Sequence, residues 1–355
     1  MTTPIEPPHL PGAGDETVEN AIELKDVEGL SQGQIVRRRF FRHRGALAGL
    51  LSLVLVAVLA YTSIGAFGIS GWYTWDHFTP EDVVNGGEPT LSLPVWLGGE
   101  GFALGAHPFG QDEIGRDVFA RTMKGTQTSL NVMIIVSLLA ALIGMTIGAV
   151  AGYFRGSVDQ LLMRFTDLFI TFPVVVIGAV LGNIAGSAGA FWLAVALGCI
   201  TWTTLARLVR GEFLSLRERE FVDAAKAAGA SSFRIIRKHM IPNAMGVIIV
   251  NTTLLASTAV LLETALSYLG FGIKAPDVSL GTMISQYQSA FSTRPYLFWW
   301  PGLFIIIIAL SVNFIGDGLR DAFDPRQKRV PSARKMARAL RSDRTAAGTS
   351  GEPSA

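Results

Sequence analysis

The sequence is poor in the residues on which most enzymes depend. One cysteine, Cys199, stands among 355 residues, so the chain holds neither an internal disulfide nor a cysteine-rich metal site. It falls inside a long apolar block, which predicts a buried, inert thiol. The five histidines, His9, His43, His77, His107 and His239, all lie outside the apolar cores, and no His-Glu-x-x-His occurs. Gly68-Ile-Ser-Gly71 has the form of a G-x-S-G nucleophile motif, yet a serine nucleophile needs a base within reach, and no histidine accompanies one into a span. The chain also has no Gly-Lys dipeptide. That excludes a phosphate loop of the G-x-x-x-x-G-K-[ST] kind and leaves nucleotide hydrolysis to other chains.

Charge is scarce as well. Only 16% of residues are charged while 50% are hydrophobic, and the mean hydropathy of +0.40 is too high for a soluble enzyme of this length. A helix needs roughly 20 mostly apolar residues to cross a hydrocarbon core of about 30 Å. Charge-free blocks of that size run from Gly45 to Phe67 and between Lys124 and Arg155, centred on Val132 to Val150. No charge occurs between Asp167 and Arg207, and Gly182, Gly186 and Gly189 interrupt that run near its middle, which predicts a hairpin of two helices, the first starting near Leu161. Further blocks from Pro242 to Ser267 and from Pro295 to Gly316 bring the total to six. The expected fold class is all-α, a polytopic membrane protein with six transmembrane helices.

The sign of the charges orients the spans. Arg37, Arg38, Arg39, Arg42 and Arg44 precede the first one, and the segments from Arg207 to Lys238 and after Asp317 are basic. By the positive-inside rule all three are cytoplasmic, and an even number of spans satisfies them together. The stretch between the first two spans carries Asp76, Glu81, Asp82, Glu88, Glu100, Asp112, Glu113 and Asp117 among Trp72, Tyr73, Trp75, Phe78, Trp96 and Phe109, as an outer loop with a membrane-interface lid would; Trp299 and Trp300 anchor the sixth span similarly. No cleavable signal is apparent, so the first span reads as an uncleaved anchor. The organisation read from sequence is a disordered acidic tail (1–35), a basic segment with the first span (36–68), an extracytoplasmic loop (69–127), a five-helix core (128–321) containing a cytoplasmic loop (211–242), and a basic, then flexible tail (322–355). Localisation follows as the cell membrane, multi-pass, with both termini cytoplasmic.

The loop before the fifth span is the most informative stretch. Ala224, Ala225, Ala227 and Ala228 favour a short helix, Gly229 suits a left-handed C′ position, and Ser231 is placed to cap a second short helix. Phe221, Ala224, Ala225 and Ala228 share one face of the first helix, a knob able to seat in a partner's groove. Pro242 ends or kinks the helix at the entry to the fifth span.

Asp223-Ala-Ala225, Gly229 four residues later and Ile241-Pro242 resemble the EAA loop of binding-protein-dependent ABC importer permeases, with Asp223 in place of the usual Glu and Ile241 in place of Leu. The subfamily is narrowed by His107-Pro-Phe-Gly-Gln-Asp-Glu-Ile-Gly-Arg-Asp117, by Arg164, Asp167 and Pro173, by Glu263-Thr-Ala-Leu-Ser-Tyr-Leu-Gly-Phe-Gly272 and by Asn313-Phe-Ile-Gly-Asp-Gly-Leu-Arg-Asp-Ala-Phe-Asp-Pro-Arg326. In that order they are similar to the C subunits of dipeptide and oligopeptide permeases. Val278-Ser-Leu-Gly281 departs from the pattern, which usually has Trp before this Gly. The resemblance implies a type I importer permease fold and a translocating subunit that catalyses nothing itself. It implies that Phe221, Asp223, Ala224, Ala225, Ala228, Gly229, Ile241 and Pro242 form a coupling element for an ATPase. It also implies as partners a sister permease, two ATPase subunits that hold the ATP and magnesium, an extracytoplasmic substrate-binding protein and the lipid bilayer. No cofactor is expected on this chain, and no nucleic acid as partner.

Polar residues near the membrane are costly and need an account. Arg164 and Asp167 are placed to pair with each other on one helix. Glu263, near the outer end of the fifth span, is open to two readings, facing the pathway or facing water. Asn251 and Asn313 suit hydrogen bonds between helices, with contact to substrate as the alternative. Two competing functions stand beside the peptide importer. One is a stand-alone secondary transporter or channel, which leaves the coupling loop unexplained; the other is an importer of nickel complexes or oligosaccharides.

Overall fold

In a hydrocarbon solvent the backbone can bond only to itself, and the apolar blocks are accordingly helical. The computed structural model describes residues 32–324 apart from Phe67, Leu93, Gly98 and Glu100. Most of both expected tails lies outside the described residues. The chain opens with a short helix α1 (Gln32–Phe40), which starts inside the stretch assigned to the first tail. The first span, α2 (Arg44–Ser63), is capped by His43, whose ring accepts the Ala46 N–H at 2.9 Å. A two-stranded hairpin, β1 (Gly65–Ala66) and β2 (Ile69–Ser70), leads into a long irregular loop.

Helix α3 (Val118–Phe154) begins well before the expected core boundary at residue 128, because Asp117 caps it by accepting the Ala120 N–H at 2.6 Å. Its 37 residues extend about 55 Å, so it overhangs the hydrocarbon core. The third span is not one rod. Helices α4 (Gly156–Thr171) and α5 (Val174–Ala185) meet at an angle of 81°. Pro173 explains the break, since its ring forces the preceding Phe172 out of the helical region to φ −92°, ψ 135°. Helices α6 (Ala190–Gly198) and α7 (Thr203–Arg217) make the fourth span. After the short α8 (Glu220–Ala227) comes α9 (Ser232–Tyr268), then α10 (Leu280–Tyr287) and the last span α11 (Tyr296–Phe323). Among the described residues this amounts to five helices able to cross a membrane and one bent pair, matching the six expected spans.

The spans alternate, so Arg155, Arg210 and Arg217 gather at one end, the basic end, and Trp72, Trp75 and Trp299 at the other, the aromatic end. Helix α3 is central, packed on α7 and α9, while α2 rides on α11. The α3–α7 contact is a glycine stripe. A Cβ added at Gly148 would stand 2.4 Å from the Ala206 carbonyl oxygen, and one at Gly144 2.8 Å from that of Trp202. Small residues at this spacing let two backbones approach until dispersion and Cα–H contacts hold them, the usual means of helix association where no hydrophobic force acts. Cys199 corrects the expectation of burial: it follows the last residue of α6 and is exposed on the surface of the chain.

Candidate functional site

At the basic end, α8 hangs below the bundle by one anchor. Val222 is fully buried among Phe213, Leu216, Ile235 and Met240, with Ala225 and Ile241 packed partly against the same cluster. Phe221, Ala224 and Ala228 face outward, and Asp223 sits on the exposed side in an ion pair with Lys226 at 2.9 Å. The expected face is therefore split, with Ala225 turned inward while its three companions remain free for a partner. Sequence reasoning overlooked Val222 beside its larger neighbour Phe221, although a lone β-branched apolar residue on an alanine helix is the natural inward anchor.

The end of α8 is a Schellman turn. The Ala230 N–H reaches the Ala225 carbonyl at 3.0 Å and the Gly229 N–H reaches that of Lys226 at 2.9 Å, with Gly229 at φ +75°. Gly229 thus occupies the expected left-handed position. Ser231 stands at the next N-cap with extended backbone, but its side chain caps nothing. The second element is not a separate short helix either: it is the start of α9, which runs unbroken through Pro242. Proline lacks an N–H and collides with the carbonyl four residues back. The chain answers with a π-turn over Ile235–Met240, whose wider ring moves that carbonyl aside.

Above the basic end, a cleft of about 570 Å³ opens between α5, α7 and α9. Its walls are apolar, with Phe169, Phe172 and Leu255, and its polar groups are neutral: Thr201, Thr203, Thr204, Thr258 and Asn251. No formal charge lines it. Asn251 spends one amide hydrogen on the Val247 carbonyl of its own helix at 2.7 Å and bridges no two helices among the described residues, and its remaining groups are available to the cleft. Asn313 is half-buried on α11 and makes no side-chain hydrogen bond among the described residues. The expected Arg164–Asp167 pair does not form. Asp167 instead accepts from Arg207 at 2.5 Å, and Asp159 takes a two-pronged bond from Arg210 at 2.5 and 2.6 Å, while Arg164 is exposed. Two carboxylates on α4 meet two guanidinium groups on α7, and the planar fork of Arg210 matches the Asp159 carboxylate at both oxygens. These ties pin the lower half of the bent span beside the cleft.

Glu263 faces neither water nor the cleft. It is fully buried, receiving the Ser129 hydroxyl at 3.0 Å and the Ser267 hydroxyl at 2.7 Å, with Ser279 also bonded to it. The three serines belong to α3, α9 and the start of α10, so this carboxyl group is a knot of three elements. Ser267, one turn after Glu263, was the signal in sequence.

The aromatic end is closed by the loop between α2 and α3. His107 and Asp117, each 2% exposed or less, meet at 2.7 Å, and the Tyr73 hydroxyl donates to the same carboxylate at 2.9 Å. Burial pushes the Asp117 carboxyl up and the Tyr73 phenol further up, the latter helped by the carboxylate itself. Phe109 lies flat on Trp300 at 3.7 Å, so of the two paired tryptophans one locks the loop while Trp299 stays exposed. Asp112 accepts from Arg116 at 2.7 Å and from the Tyr287 hydroxyl at 3.0 Å. The loop is thus an internally bonded cap rather than a loose lid. Ser70 of the G-x-S-G motif makes no hydrogen bond to a histidine among the described residues.

Comparison with known proteins gives concordant findings. Residues 144–329 match the profile of the binding-protein-dependent transport system inner membrane component family, and residues 31–70 match that of the N-terminal TM domain of oligopeptide transport permease C. An oligopeptide transport system permease protein OppC from Haemophilus influenzae is 35% identical over 316 residues, covering 88% of this chain and 94% of its own length. An OppC from Mycobacterium bovis is 36% identical over 300 residues, covering 84% and 96%. Among solved structures, an inward-facing form of the MetNI methionine ABC transporter aligns with 57% of this chain and 96% of its own at 19% identity and a TM-score of 0.48.

Proposed function

The chain belongs to the binding-protein-dependent transport system inner membrane component family, and from that premise we propose that it is the permease subunit through which an ATP-driven importer carries di- or oligopeptides. Its relatives named as oligopeptide permeases, matched over nearly their whole length, support that cargo. So does the lining of the cleft. Neutral hydroxyl and amide groups on apolar walls suit a cargo defined by its backbone amides, whereas a fixed charge would select among side chains.

The observation that carries the coupling reading is the outward face of α8. Phe221, Ala224 and Ala228 stand exposed on a helix fastened by Val222 to the core from which α9 rises. A partner that shifts α8 therefore pulls on the foot of a span lining the cleft. In this reading Asp223, Ala225, Gly229, Ile241 and Pro242 shape the element, and ATP and magnesium are held by two ATPase subunits. Coupling requires those ATPases to bind two states of the permease with different affinity. A sister permease faces the open side of the cleft, a substrate-binding protein meets the aromatic end, and the basic end with both termini is cytoplasmic.

The test is recovery of ATPase subunits with this chain purified from its native membrane in mild detergent. Phe221→Asp and Ala224→Arg alter only exposed positions, so both should lose the ATPases at an unchanged unfolding midpoint. ATPases retained by both variants would remove α8 from the coupling role. A stable preparation of the unaltered chain that brings none would return the stand-alone transporter.

A further inference from the structure

A second cleft, of about 290 Å³, opens at the aromatic end between the foot of the β-hairpin and α3, remote from the translocation cleft and from α8. Its depth is fixed by hydrogen bonds. Gln127 donates to the carbonyls of Ala60 and Gly65 at 2.8 and 2.9 Å, and the Tyr61 hydroxyl donates to Asn131 at 2.6 Å, so the end of α2 is level with residues 127–131 of α3. Lys124 lies about one turn further out and is the first charged side chain on α3 beyond the block that starts after it. Trp72, Tyr73 and Trp75 surround the same level, the place that amphipathic aromatics take among lipid headgroups.

The cleft carries one group of each sign. Lys124 lines it half-buried, and its ammonium makes no hydrogen bond or ion pair among the described residues. Across from it, Asp76 is ionised: burial opposes the charge, but His77 and hydrogen bonds from the His77 and Phe78 amides and the Thr79 hydroxyl hold the carboxyl below its usual range. The His77 ring stands 2.8 Å from one oxygen of the Asp76 carboxylate, and the Thr79 hydroxyl bonds the other; burial pushes its imidazole down, Asp76 opposes this, and the nearby charges of Lys124 and Arg121 push it further down. No ion pair joins Lys124 to Asp76 among the described residues. Ser70 and Thr74 add hydroxyls to the wall. A fixed cation and a fixed anion, set apart in one cleft at the membrane surface, call for a ligand bearing both charges on a short tether.

We propose that this cleft seats the headgroup of phosphatidylethanolamine, Lys124 receiving the phosphate and Asp76 the primary ammonium. Choline in the same position cannot donate a hydrogen bond to the carboxylate, and glycerol brings it no charge. A short peptide carries the same two charges in water, and the experiment separates the two sources.

The full-length protein, delipidated in detergent, is titrated with phosphatidylethanolamine, phosphatidylcholine and phosphatidylglycerol, and retained lipid is counted by native mass spectrometry. Phosphatidylethanolamine should be held about tenfold more tightly than either of the others, and Lys124→Gln and Asp76→Asn should each weaken it about tenfold, the effect of one charge-assisted hydrogen bond. Lys124→Arg should retain it, which separates loss of the site from loss of the fold. Equal retention of the three lipids, retention unaltered in both variants, or displacement by millimolar dipeptide would each overturn the proposal.

Discussion

Glu263 condenses much of what single residues do in this bundle. Its carboxyl group joins serines from α3, α9 and the approach to α10, so removal strands buried hydroxyls. Glu263→Leu should lower stability by about 1–3 kcal/mol for each hydroxyl left unpaired, while Glu263→Gln, which keeps an acceptor oxygen, should lose less than half of that. Thermal unfolding in detergent measures both, and equal losses would refute the knot. Tyr287 offers a pH-dependent counterpart outside the membrane. Burial raises its phenol, with Arg121 opposing and Asp112 reinforcing, to about 12. An unfolded tyrosine ionises near 10. The folded value is the higher one, so this contribution is complete below pH 10 and lost between pH 10 and about 12. An ultraviolet titration of the protein minus that of Tyr287→Phe should give a difference curve centred at about 12; a difference curve centred at the free value of about 10 would contradict it.

At the scale of elements, legibility from sequence followed the range of the forces involved. Hydropathy located every span, and the left-handed Gly229 followed from composition, because both are decided within a few residues. What failed was decided across helices. Arg164 and Asp167 looked like partners only because the approach of Arg207 is invisible along one helix, and Glu263 looked open to water because Ser129 lies 134 positions away. Pro242 did not end the helix, because the π-turn before it absorbed the clash. The glycine stripe of α3 was readable, at a spacing of four, but hydropathy alone gives glycine no voice. Gly148→Leu should separate α3 from α7, since even a Cβ meets backbone at 2.4 Å, and should cost at least about 3 kcal/mol or prevent assembly. Gly211→Leu, where a Cβ meets nothing, is the control; equal tolerance in an expression and unfolding assay would dismiss close packing as the role of the stripe.

For the whole molecule the untried question is which end faces inward. The positive-inside rule assigns the basic end to the cytoplasm. In a Cys199→Ser background, Thr90→Cys should react with a membrane-impermeant maleimide in intact cells, and Ser231→Cys only after lysis. The reverse pattern would invert the topology and with it the assignment of α8 to an ATPase.

Helix α3 is longer than the membrane is thick, and it runs as one continuous piece from the cap at the aromatic end to the α7 segment from which α8 hangs. It therefore behaves as a lever: a tilt of about 10° carries one tip about 10 Å relative to the other, given its length of about 55 Å. A tilt imposed at either surface is therefore returned at the opposite one.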